Sequence, residues 1–129
     1  MLFQFRDTDQ ARLFALEAEL KTLVEQANQG PCRVTIAHIG RSVPRQMDDG
    51  FQTALERAAE RHAPGSHQRM PSGAGHDAQI MAEVMPAGML FVPSIGGVSH
   101  HYSEDTNEAD IVLGCQVFAD AAATILAAS

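Results

Sequence analysis

A strand, helix, strand order written into residues 1–40 constrains this chain more than any other feature. Residues 2–6, Leu-Phe-Gln-Phe-Arg, alternate loosely and read as a strand that starts with no lead-in. Asp7-Thr8-Asp9 then offers side-chain oxygens for the first free N–H groups of a helix. Leu13, Leu16, Leu20, Leu23 and Ala27 follow at three- and four-residue spacing, so an amphipathic helix runs to about Asn28. Gly30-Pro31 ends it, because proline cannot continue the hydrogen-bond ladder. Residues 32–39 read as a second strand, with Val34 and Ile36 on one face. A pair of strands and one helix cannot complete a sheet, so this unit is expected to need further strands from outside it.

The remainder alternates in the same manner. A helix is expected over about residues 49–62, with Phe51, Leu55 and Ala58 or Ala59 inward. A glycine-rich turn, Ser72-Gly73-Ala74-Gly75-His76-Asp77, opens a helix through Met85. Residues 89–92, between Gly88 and Pro93, have the short apolar composition of a buried strand. The last helix, about residues 107–127, is apolar on most faces, which implies burial on more than one side. The expected class is α/β: a mixed sheet with packed helices, or a rearranged or swapped version of it.

Charge narrows the partners. Residues 1–69 hold all nine Lys and Arg and nine acidic residues, so the net charge of -7 resides in the remaining residues. A segment with carboxylates and no Lys or Arg repels a phosphate backbone, which argues against nucleic acid. Two cysteines outside any CxxC spacing suit a reducing, cytoplasmic setting. No uninterrupted run approaches the ~20 apolar residues of a membrane span, so no membrane partner is expected.

Two loops carry the chemistry. In Ser72 to Asp77, paired glycines allow a ligand close to the backbone while the N–H groups of the following helix are unpaired. Gly96-Gly97-Val98-Ser99-His100-His101 follows the segment 89–92, the place where open α/β sheets seat ligands, and a neutral imidazole there suits a metal. Alone, either loop reads more simply as a tight turn with satisfied histidines. Their fixed order is far more specific.

Gly73 to Gln79, Pro86 to Ser94 and Gly96 to Glu104 resemble the C-terminal end of the N-carbamoyl-L-amino-acid hydrolase, allantoate amidohydrolase and β-ureidopropionase group, relatives of the dinuclear zinc aminoacylases and carboxypeptidases. Residues 3–9 resemble the strand of that group's lid, or dimerisation, domain. The resemblance implies a partial lid over residues 1–44 and the end of a metal-dependent catalytic domain over 45–129. It implies that His100 is a zinc ligand, that His101 is a bystander, and that Glu104 orients neighbouring groups. It implies that Arg6 grips a substrate carboxylate with its planar fork of donors, and that Ser72, Gly73, Ala74, Gly75 and His76 face the substrate, with Asp77 supporting the turn or capping the helix. Where the group has an Asp two residues before the arginine, this chain has Gln4. The other ligands of the two zinc ions and the general base of the group have no counterpart here, so no catalytic residue is expected within the chain and no zinc is expected to be retained by it alone. The implied substrate is a small ureido acid cleaved at a C–N bond. A competing expectation is a non-catalytic, homo-oligomerising remnant or a truncated reading frame, because unpaired strand edges favour association between chains.

Overall fold

The computed structural model describes residues 2–37, 40 and 42–128. Among these residues there are four α-helices, α1 (Gln10–Ala27), α2 (Asp49–His62), α3 (Asp77–Met81) and α4 (Glu108–Ala128), with a 3-10 turn at Ile95–Gly97. Among the described residues there is no β-strand. The expected α/β class and mixed sheet are therefore overturned, and the reason is physical. A strand is defined by its ladder partner, and residues 2–6, 32–37 and 89–92 have none. Residues 38 and 39, the end of the second expected strand, lie outside the described residues.

The chain divides into two units, Met1–Arg45 with Pro71–Gly75, and Gln46–Met70 with His76–Ser129. In the first, Asp9 caps α1 by accepting from the N–H groups of Ala11 at 2.8 Å and Arg12 at 3.3 Å. At the other end, the Asn28 side chain does for Val34 what a neighbouring strand would do. Its Nδ2 donates to the Val34 carbonyl at 2.9 Å and its Oδ1 accepts from the Val34 N–H at 2.8 Å. No residue of α1 is buried.

The second unit holds the core. Ala54, Ala58 and Ala59 of α2 meet Val117 and Ala121 of α4, with Leu55, Leu113 and Ile125 partly buried around them. Facing alanines let two helices approach closely, so small side chains exclude water where larger ones would hold the backbones apart. Asp120 adds a polar tie, accepting from Arg61 Nε at 2.9 Å and lying 3.1 Å from His62 Nε2. The incoming chain is tied to the start of α2, where Asp48 N–H donates to the Ala87 carbonyl at 2.8 Å and the Asp48 side chain accepts from Phe51 N–H at 2.9 Å. A Cβ at Gly114 would stand 2.5 Å from Val92 Cγ1, so α4 needs glycine where residues 89–92 cross it.

Two finer expectations also change. α3 stops at Met81 rather than Met85, because Pro86 disfavours helical backbone before it and residues 82–84 become turns. α4 buries one narrow face, not several: Phe118 is 63% and Leu126 75% exposed. By length and composition α4 could also cross a membrane, although the sequence shows no unbroken apolar run, since Asp110, Gly114, Gln116 and Asp120 interrupt it. Asp120 on this helix pairs with Arg61 of α2 at 2.9 Å.

Candidate functional site

In the first unit the structure joins Arg6 to the glycine turn. Arg6 Nη1 donates to the Gly73 carbonyl, and Nη2 donates to Gln4 Oε1 at 3.1 Å. The turn is braced from within, as the Ala74 N–H donates to Ser72 Oγ at 3.3 Å. Such a hydroxyl-to-backbone bond is local and holds a bend without secondary structure. Next to Arg6, Asp7 is occupied elsewhere: it accepts from the Asp9 N–H at 2.9 Å and pairs with Arg12 Nη1 at 3.3 Å. The Asp9 N–H, and then Arg12, hold the Asp7 carboxyl below its ordinary range. A recess of about 40 Å³ lined by Leu13, Phe14, Glu17 and Val43 is too small for a substrate and contains none of the sequence-identified site residues.

In the second unit lie His76, Asp77, His100 and Glu104. His76 precedes α3 in extended conformation and makes no side-chain cap, while its ring packs against Phe91 with centroids 5.4 Å apart. Asp77 is the first residue of α3 and not its cap, and a carboxylate in the first turn is favoured by the unpaired N–H groups there.

The loop after Pro93 is built around left-handed backbone. Gly96, Gly97 and His100 have φ of 67°, 70° and 55°. Glycine takes that conformation freely, whereas a side chain there crowds its own carbonyl. The His100 N–H donates to Glu104 Oε2 at 2.7 Å, a short charge-assisted bond that offsets part of the cost. The loop is closed at its base where the Ile95 N–H donates to the Asp105 carbonyl at 2.8 Å. His100 is exposed at this bend. His101 is engaged locally: its Nδ1 faces Ser103, whose N–H donates at 3.3 Å and whose hydroxyl lies at 2.8 Å, and its ring is 4.2 Å from that of Tyr102.

The described residues do not fit a complete metal centre. Among them no group of three or more His, Cys, Asp or Glu gathers to hold an ion. A zinc site takes about three protein ligands or more, and His100 offers one nitrogen beside a carboxylate that is turned to its own backbone N–H.

The sequence reading passed over the polar tie at Asp120. Its signal was available, since a lone acid in an otherwise apolar stretch of helix needs a cationic partner, and Arg61-His62 ends the preceding long helix.

Residues 7–124 match the model of Peptidase family M20/M25/M40. The chain belongs to that family. Within the M20 family it is 41% identical over 93 residues to an allantoate amidohydrolase of Bacillus subtilis, a match covering 68% of this chain and 21% of that protein. It is 34% identical over 116 residues to an N-carbamoyl-L-amino-acid amidohydrolase of Rhizobium meliloti, covering 87% of this chain and 27% of that one. A crystal structure of an amidase of the hydantoinase/carbamoylase family from Burkholderia phymatum superimposes with a TM-score of 0.83 at 47% identity, over 95% of this chain and 29% of that chain. The M20 chain described here thus spans between about a fifth and three tenths of the length of these relatives.

Proposed function

We propose that this chain is the C-terminal portion of a zinc-dependent amidohydrolase that cleaves the ureido C–N bond of N-carbamoyl-L-amino acids or allantoate. The observation that carries the reading is His100: a side chain with two ring nitrogens stands exposed on left-handed backbone, anchored by Glu104, in the order of motifs that marks this group. Backbone strain of this kind persists where the surrounding structure imposes it, and it concentrates at functional sites. Residues 1–44 derive on this reading from the lid domain and residues 45–129 from the catalytic domain, in a cytoplasmic enzyme.

The chain's own share of the work is binding and orientation. Arg6 takes the substrate carboxylate, the backbone of Ser72, Gly73, Ala74 and Gly75 lies along the ligand with His76 beside it, and His100 supplies one donor to zinc. Asp77 and Glu104 hold these groups in place. The remaining ligands for the two zinc ions and the proton-transfer group come from a longer polypeptide, so residues 1–129 alone hydrolyse nothing measurable.

The test is a graft. Replacing the corresponding segment of the Escherichia coli allantoate amidohydrolase, a 48% identical relative over 76 residues, with this chain yields a chimera expected to release ammonia from allantoate in a zinc-dependent manner. His100→Ala in that chimera is expected to lower activity by about 100-fold and to reduce the zinc it retains. Undiminished zinc content and turnover in the substituted chimera would remove the reading.

A second reading, a homo-oligomerising module without catalysis, is favoured by the apolar side chains left uncovered on α4 and at Ile80 and Val84. Light scattering separates it: a concentration-independent monomer counts against association.

A further inference from the structure

The segment from Ala87 to Val92 is fastened at both ends within the second unit. At its start the Ala87 carbonyl accepts from the Asp48 N–H at 2.8 Å, and Gly88 lies so close to α2 that a Cβ there would stand 3.1 Å from Phe51 Cβ. At its end Val92 fills the place that a side chain at Gly114 of α4 would need. Phe91, one residue earlier, goes to a different neighbour: its ring meets that of His76 with centroids 5.4 Å apart and planes tilted by 60°. Aromatic pairs favour such tilted contacts. The contact has a use here, because the last side-chain torsion of a histidine is broad and does not fix the plane of the ring by itself. Nor is His76 oriented by capping α3, since its side chain makes no cap.

We infer that Phe91 is a positioning residue: fastened to α2 and α4 through its neighbours in the chain, it holds the His76 ring in the orientation that meets the ligand. Leucine at position 91 would keep apolar bulk but lose the flat face, and tyrosine would keep the face. Phe91 is 46% exposed and lies outside the α2–α4 core, so its replacement leaves that core intact. The inference rests on the assignment of His76 to the substrate.

Two measurements test it. In NMR spectra of the purified chain, the His76 ring-proton signals, assigned through their loss in His76→Gln, are expected to move toward free-histidine positions in Phe91→Leu and to stay displaced in Phe91→Tyr. In the allantoate amidohydrolase chimera, Phe91→Leu is expected to raise the KM for allantoate about fivefold while kcat changes less than about twofold, and Phe91→Tyr is expected to keep the original KM. His76→Gln should raise KM at least as much. Adding Phe91→Leu to His76→Gln should raise it no further, because both substitutions remove one interaction, whereas a merely structural role would make the two losses add. Circular dichroism and zinc content verify that each variant retains its fold and its metal. If Phe91→Leu leaves the His76 signals in place, or raises KM equally with and without His76, or leaves KM unchanged where His76→Gln raises it, the inference fails and the assignment of His76 stands. If His76→Gln leaves KM unchanged, the assignment fails and the inference with it. A folded chimera without turnover removes the proposed function and the inference together.

Discussion

α2 and α4 bury five side chains against each other, whereas α1, with 18 residues against the 14 of α2 and four leucines against one, buries none. Apolar content does not decide which helix enters a core. What decides is a facing helix whose small side chains allow close approach, and the alanines of α2 have that in α4. The leucines of α1 have no such helix facing them in their own unit. The first unit is held instead by local hydrogen bonds, from Asp9 at one end of α1 and Asn28 at the other.

The contrast breaks most readily at Ala58, which has no exposed surface. Ala58→Leu is expected to lower the stability of the α2–α4 pair by about 2–3 kcal/mol in urea unfolding, because the added methylenes have no void to enter. Gly114→Ala is next, at about 1–2 kcal/mol, as the clash with Val92 outweighs the helix propensity that alanine contributes. Val92→Ala should recover most of that loss, and a double-mutant cycle measures the coupling. In α1 the ranking should invert, with the cap mattering more than any leucine: Asp9→Ala is expected to cost about 1 kcal/mol of helix stability, read by circular dichroism, and Leu16→Ala less. The smallest effect concerns pH. Arg61, and then His62, hold the Asp120 carboxyl below its ordinary value of 3.8, so its contribution is complete above that value and is lost as pH falls further. Thermal unfolding between about pH 5 and about pH 2 should show that decline, and Asp120→Asn should remove the share due to Asp120 while leaving that of Asp7.

The same contrast explains what could be read from the residues alone. Helices were legible because their determinants are local: the Asp9 cap, the leucine spacing of α1 and the alanines of α2 all act within a few residues. The two loops were legible for the same reason, with Glu104 only four residues from the His100 it holds. The sheet was not, since residues 2–6 and 89–92 have strand composition but a strand needs a neighbour that composition does not supply. Nor was the bond between Arg6 and Gly73, whose partners are 67 positions apart. The exposure of α4 escaped notice because an apolar sequence states a demand for cover and not whether the demand is met.

If His100 has the zinc-binding role proposed for it, the left-handed bend at residue 100 sets folding and chemistry against one another. Glycine would relieve the crowding that an imidazole-bearing residue suffers there, by about 1 kcal/mol. A chain selected only for endurance would therefore drift toward His100→Gly and, in doing so, discard the ring nitrogens.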